Sequence, residues 1–249
     1  MLKAYKYRIY PTTFQQELLS KHFGSTRFLY NFFLNKRIHY YESHKKEKKK
    51  GLTYNDNAKE LTNMKRLEEY SWLNEVNSQS LQQSLKHLDT AYKNFFRTKQ
   101  GFPKFKSKKN KQSFNVPMTN NNLKINFENN IIKIPKFKDD IKTVFHRTFE
   151  GTVKQATISK TKTDKYYVSI LVDTIDTPKE PKEIEQSTSI GIDLGIKDFA
   201  ILSSGEKIQN PKYLNKSEKK LKRLQRKIKK KKKGSNNRKK AVFNLTLLN

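Results

Sequence analysis

Cysteine is absent from the 249 residues, so they can build neither a disulfide framework nor a thiolate zinc site. Glycine and proline are scarce, at 8 and 7 residues, which argues against long flexible linkers. No apolar stretch approaches the ~20 residues that span a bilayer, and no signal-peptide core follows Met1. The expectation is a soluble, unexported protein with no membrane partner. Acid is the rarer charge: 23 Asp plus Glu stand against 54 Lys plus Arg, leaving a net charge of +31. That excess is far beyond what solubility needs and implies a polyanionic partner. Among the cations lie 12 Tyr, 16 Phe and one Trp, too many aromatics for a disordered basic tail. Some rings could stack on bases, but most are expected to fill cores.

Residues 2 to 10 alternate Tyr5, Tyr7 and Ile9 with Lys6 and Arg8, the period of a half-buried strand, and Pro11 ends it. From Thr12 the period becomes helical. Phe14, Leu18 and Leu19 share one face, Phe28, Leu29, Phe32 and Phe33 another, and Gly24 is predicted to separate two helices. A charged loop is expected at 44 to 51. Thr53 with Asp56 then offers an N-cap for a helix carrying Ala58, Leu61, Met64 and Leu67. The clearest helix follows, with Leu81, Leu85, Leu88, Tyr92, Phe95 and Phe96 in register.

After Gly101 and Pro103 the chain turns to short runs rich in Ile, Val, Thr and Tyr, including 131–134, 152–159 and 166–173. These predict strands of a small barrel. The strand at 2–10 has no partner among the helices and should pair with these later strands, making the helices an insertion. Beyond them, residues 188–195 read as an apolar strand ending in acid, and 198–208 as a hairpin turning at Ser204 and Gly205. From Lys216 to Lys240 there are 15 Lys or Arg on a sparse helical period of Leu221, Leu224 and Ile228. The last nine residues, AVFNLTLLN, lose the basic character and are expected to end without a closing element.

Asp193 carries the sharpest chemical signal, because a strand delivering a carboxylate at its end suits a metal-dependent nuclease. Hard Mg²⁺ takes oxygen ligands, and paired metals activate water for phosphodiester hydrolysis. One carboxylate cannot hold such a site, and an isolated Asp-x-Gly is also what an ordinary solvated aspartate looks like. The five histidines, at 22, 39, 44, 87 and 146, have no metal-ligand spacing and are assigned no chemistry. The Lys229–Lys233 run is read as a contact to a nucleic-acid backbone in preference to a nuclear signal.

Five segments together resemble the TnpB (OrfB-type) proteins of insertion sequences, relatives of type V CRISPR effectors. They are KAYKYRIYP at the start, SLQQSLKHLDTAYKNFFR (80–97), GFPKFKSKKNKQSF (101–114), GIDLGIKDFAILSSGEKIQNPKYL (191–214) and KSEKKLKRLQRKIKKKKKGSNNRKK (216–240). The resemblance implies an α+β chain. A wedge-type, oligonucleotide-binding barrel would occupy 1–10 and 101–180, an inserted helical recognition bundle 11–100, a linker 181–187, and the opening of a RuvC/RNase H-like α/β domain 188–249.

It further implies a transposon-encoded protein that binds a guide RNA from the transposon end and duplex target DNA beside a short motif, cutting with Mg²⁺. Base pairing would supply the sequence specificity. A DNA partner would place it in the cytoplasm, at the nucleoid. Asp193 matches the first RuvC carboxylate. Tyr54, Ser78, Gln79, Gln82 and Thr119 match the region that reads the target-adjacent motif, and Lys104, Lys106, Lys222, Arg223, Arg226 and Lys230 are the expected nucleic-acid contacts. The family's later Glu and Asp ligands and its cysteine zinc ribbon are not in this sequence, and Asp198, Glu206 and Glu218 are expected to be plain surface acids. The expectation is therefore a truncated, cleavage-incompetent member with a poorly formed last domain. The alternatives are an active nuclease completed by another chain, and an RNA-guided repressor without nuclease activity.

Overall fold

The computed structural model describes residues 1–47, 51–98, 100–109, 111–175, 187 and 189–247. The linker expected at 181–187 lies outside the described residues except for Ser187, as do residues 48–50 of the charged loop. The chain divides into two compact units, Met1–Asp176 and Thr177–Asn249.

The first unit is α+β. Its sheet has seven antiparallel strands in the order β2-β6-β7-β1-β5-β4-β3, where β1 is Leu2–Tyr10, β2 Gln112–Pro117, β3 Lys124–Asn126, β4 Ile131–Lys133, β5 Ile141–Val144, β6 Thr152–Lys160 and β7 Tyr166–Asp173. β1 lies inside the sheet, with Tyr7 opposite Val168 and Ile9 opposite both Tyr166 and Thr143. The alternation read in residues 2–10 is physical: Tyr7 and Ile9 are fully buried while Lys6 and Tyr10 face out. On β7, Tyr166, Val168, Ile170 and Val172 all turn inward. One core gathers residues from both flanks, Phe114 and Val116 of β2 with Ile132 and Ile141 of β4 and β5, so the sheet curls around it. β2 and β3 remain the two ends of the ladder.

The insertion between β1 and β2 holds three α-helices: α1 Thr13–His44, α2 Tyr54–Met64 and α3 Ser78–Thr98, with a 3₁₀ segment at Glu68–Glu75. Sequence periodicity placed a break at Gly24, and this is corrected: α1 runs through it for 32 residues. A glycine within a helix costs about 1 kcal/mol, and packing on both sides of it outweighs that. Leu19 and Phe23 are buried in the sheet core, whereas Leu29, Phe33 and Leu34 are buried in a second core with Leu61, Met64, Leu81, Leu85 and Leu88. Thr12 and Gln15 form a capping box at its start, and Thr53 with Asp56 forms the box predicted for α2. Leu67, expected on that helix, falls past its end and is exposed. Arg37 of α1 joins all three helices. It donates to Asp89 at 3.3 Å and lies over the Tyr92 ring, and Asn57, with its amide oxygen turned toward it, accepts at 2.9 and 3.0 Å.

The second unit has a three-stranded antiparallel sheet in the order β10-β9-β8, with β8 Ile192–Leu194, β9 Asp198–Leu202 and β10 Lys207–Gln209. The hairpin turn lies where it was read, with Gly205 at φ +87°, a conformation that favours glycine. Helix α4, Tyr213–Lys229, is followed by α5, Asn236–Thr246. The final residues, expected to end without a closing element, lie largely within α5 as far as Thr246. Gly234 (φ +88°) turns the chain, the Ser235 side chain caps α5 by accepting from Arg238 N–H, and the Arg238 guanidinium donates to the Ile228 carbonyl at 2.9 Å near the end of α4. Among the described residues of this unit, Ala200 is the one buried hydrophobic, and Ile192, Leu194, Ile196 and Phe199 are exposed.

Candidate nucleic-acid interface

The start of α3 is pinned from two directions. Asn77, buried, accepts the backbone N–H of Gln79 (2.8 Å) and of Ser80 (3.1 Å) on its side-chain oxygen. Its own N–H donates to Nε2 of His22 at 3.1 Å, and Nδ1 of His22 lies 2.8 Å from the Leu18 carbonyl. The two contacts require the neutral imidazole protonated on Nδ1. Burial, more than any neighbouring charge, drops the His22 pKa from 6.5 to about 4, and the ring stacks on Phe114.

Four of the five residues expected to read DNA are brought near this helix start. Gln79 donates through Nε2 to the Thr119 hydroxyl, and Asn122 Nδ2 donates to Gln79 Oε1 at 2.9 Å and to Thr119 Oγ1 at 3.3 Å. The turn that presents Thr119 needs two residues in the left-handed region, and Asn120 and Asn121 supply them (φ 50° and 52°). Ser78 accepts from Lys65 Nζ at 2.8 Å. Gln82 is exposed one turn on, beside a cleft lined also by Lys65, Arg66 and Asn74. Burial and then the Lys136 charge push the Lys65 ammonium below the usual lysine value. Tyr54 stands apart on α2 and is half-buried, its ring centroid 5.8 Å from Lys86 Nζ.

Lys104 and Lys106 are not part of this edge. Lys104 is exposed. The Lys106 backbone is held in both directions by the Asn31 side chain (2.7 and 2.9 Å), and its ammonium lies 4.0 Å from the centroid of the Tyr30 ring.

In the second unit, Asp193 sits on β8 opposite Ile201 and is exposed. Gly195 follows because a Cβ there would come within 3.0 Å of the Asp198 carbonyl oxygen. Among the described residues no three His, Cys, Asp or Glu side chains are gathered to hold a metal. Glu218 pairs with Lys222 at 2.7 Å. Lys222, Arg223, Arg226 and Lys230 are exposed on α4 and just past its end, and Lys227, Lys230, Lys231 and Lys240 line an open groove between α4 and α5.

Sequence reasoning missed Asn77, Asn122 and His22. Asn77 carried a usable signal, an asparagine one residue before a periodic helix. Asn122 was legible only as one of three turn-forming asparagines. His22 lies on the apolar face of α1, and nothing in the sequence says what it meets.

Comparison with known proteins gives a consistent picture. A family model described as "Helix-turn-helix domain" matches residues 1–46, and one described as "Probable transposase" matches residues 168–248. The first of these stretches forms β1 and one uninterrupted helix, so no helix-turn-helix is present there. The chain is 34% identical over 241 residues to a protein of Streptomyces pristinaespiralis named as a candidate RNA-guided DNA endonuclease, covering 96% of this chain and 57% of that protein. It is 34% identical over 237 residues to InsQ of Escherichia coli (strain K12), named in the same terms, covering 95% of this chain and 56% of that one. A virulence protein of Salmonella dublin, VsdF, is 38% identical over 119 residues and is covered over 98% of its length, against 45% of this chain. The chain thus spans somewhat over half the length of the first two relatives. Among solved structures, a CRISPR-Cas12f ternary complex matches at 14% identity with a TM-score of 0.38, covering 93% of this chain and 56% of that one, too loose a superposition to say more. No described helix is long and apolar enough to cross a membrane.

Proposed function

Since the chain belongs to the TnpB (OrfB-type) family, we propose that its 249 residues serve an RNA-guided DNA-binding protein encoded by an insertion sequence. In this reading residues 1–10 and 101–180 act as a wedge-type barrel and 11–100 as the recognition bundle. Residues 188–249 open a RuvC-like domain in which Asp193 is the first carboxylate. Guide RNA from the transposon end and duplex DNA with a short adjacent motif are the partners, held through a net charge of +31.

The observation that carries this reading is the hydrogen-bonded set of Gln79, Thr119 and Asn122. A glutamine amide has two N–H groups and an oxygen with two lone pairs. Gln79 spends one of each on Thr119 and Asn122. One of each is left, in a fixed orientation, which suits a bidentate contact to adenine N6 and N7 in the major groove. Holding the side chain before binding reduces the ordering cost of that contact. Replacing Gln79 with Ala is expected to remove about 1–3 kcal/mol of discrimination at one base position beside the target. Selection of bound DNA from a library randomised next to a matched target measures this, and an equal loss across all flanking sequences would count against base reading.

A Mg²⁺ site does not fit the residues in hand. A hard divalent cation needs several oxygen ligands, Asp193 is exposed, and no carboxylate pair gathers with it among the described residues. No cleavage step is therefore derived from this chain. We expect the 249 residues, co-expressed with RNA from their own locus, to retain that RNA and to leave a matched duplex uncut in Mg²⁺. Cleavage abolished by Asp193→Ala would overturn the binding-only reading and mean that the missing ligands come from elsewhere.

A further inference from the structure

A cleft of about 250 Å³ opens between α1, α3 and the approach to β2, on the face of α3 that carries Ser80, Gln83, Ser84 and His87. Arg27, Lys106 and Lys111 line it, and no carboxylate does among the described residues. Positive charge is concentrated there with no acidic side chain among the described lining residues. Burial pushes the Lys106 ammonium below the usual lysine value, and burial together with Lys106 lowers His87 as well. The Arg27 guanidinium is aimed by a 2.6 Å hydrogen bond from Nη1 to Gln112 Oε1, which leaves its other N–H donors for a ligand.

The decisive feature is Ser80. The residue is 1% exposed, it lines the cleft, and its hydroxyl has no hydrogen-bond partner. One turn on, the Ser84 hydroxyl donates to the Thr26 carbonyl at 2.6 Å, so α1 satisfies a serine where it can. A buried hydroxyl left unpaired is destabilising, and a native structure that keeps one invites a ligand as the reason. The missing partner must accept a hydrogen bond and suit three cations.

We propose that this cleft holds one backbone phosphate of a bound polynucleotide, on Arg27, Lys106 and Lys111, with the Ser80 hydroxyl donating to a phosphate oxygen. The proposal rests on the reading that the chain binds nucleic acid, and adds a grip on the strand separate from the base-reading edge at Gln79 and Thr119. A phosphate contact carries no sequence information but fixes register and orientation.

Ser80 permits a test that general electrostatics cannot mimic, since removing its hydroxyl changes no charge. In Ser80→Ala the thermal midpoint of the free chain is expected to stay level or rise, because an unpaired buried group is gone. Its affinity for a labelled mixed-sequence single-stranded RNA or for a duplex DNA should fall about tenfold. Lys106→Gln should reduce the slope of log affinity against log salt by about one. Weakening confined to RNA or to DNA identifies the strand in the cleft. Unchanged affinity in Ser80→Ala for both probes, with the parent's salt slope kept in Lys106→Gln, overturns the proposal while leaving nucleic-acid binding intact. A parent chain whose binding ignores salt overturns both.

Discussion

Raising the salt from 50 to 200 mM is expected to weaken binding of duplex DNA to this chain by about 10³- to 10⁵-fold, on the order of what six to ten phosphate contacts produce, and binding of single-stranded RNA by about tenfold less. The basis is the supply of exposed cations. Lys222, Arg223, Arg226 and Lys230 stand in solvent on or beside α4, and Lys104 is exposed in the first unit. Each phosphate neutralised releases condensed counterions, giving a slope of about −0.9 per contact on duplex DNA and about −0.7 on a single strand. A fluorescence-anisotropy titration over several salt concentrations reads the slope directly. A slope near zero would sink the inference from net charge to polyanion. Removing Lys222, Arg223, Arg226 and Lys230 together should flatten the slope by up to about four contacts, and a quadruple variant with the parent's slope would place the contacts elsewhere.

The first unit is expected to lose about 3 kcal/mol of stability between pH 6.5 and pH 4, from the folded and free values of His22 alone. The sign follows from which state takes the proton. Unfolded, His22 protonates near 6.5, whereas in the fold it resists until about 4. Throughout that window the unfolded chain binds more protons, so stability falls as the pH falls. The contribution is whole above 6.5 and gone below 4. His87, also lowered, pulls the same way. Asp56 and Asp173 are held below their ordinary 3.8, by Thr53 and by Lys154 respectively, so their stabilisation is lost at more acid pH. Urea midpoints at pH 7 and pH 4 measure the effect. His22→Phe should be less stable at neutral pH, because the Asn77 N–H loses its acceptor, but it should show a much smaller drop between the two pH values. A variant that falls as steeply as the parent would exclude His22 as the cause.

Much of the first unit could be read along the chain because its signals are local. A strand of period two that begins a chain and is followed by helices has to find its ladder later, and β1 finds it in β7 and β5. The capping pair Thr53 and Asp56 and the heptad-like spacing of Leu81, Leu85 and Leu88 needed no tertiary information. Gly24 misled because helix propensity is a local quantity, whereas the two cores that carry α1 through it draw on residues as far along the chain as Val172. The site divides the same way. Gln79 and Thr119 were singled out by resemblance, but Asn122, which holds them together, and Asn77, which seats the helix beneath them, act through partners remote in sequence. α5 was missed because AVFNLTLLN has no amphipathic period to betray it, its stop and start being written in Gly234 and Ser235.

The length of α1 also bears on how this protein could be re-engineered. At 1.5 Å per residue its 32 residues run about 48 Å, and the stretches of that rod on either side of Gly24 are embedded in different cores. A chimera that exchanged the helical insertion with a relative's, cutting at the obvious loop after Pro11, would carry Leu19 and Phe23 away with it and strip the curled sheet of two of its own core residues. Useful crossover points therefore lie within the helix, near Gly24, where the burden passes from one core to the other and where no neighbouring atom lies within 4 Å of a Cβ placed on the glycine.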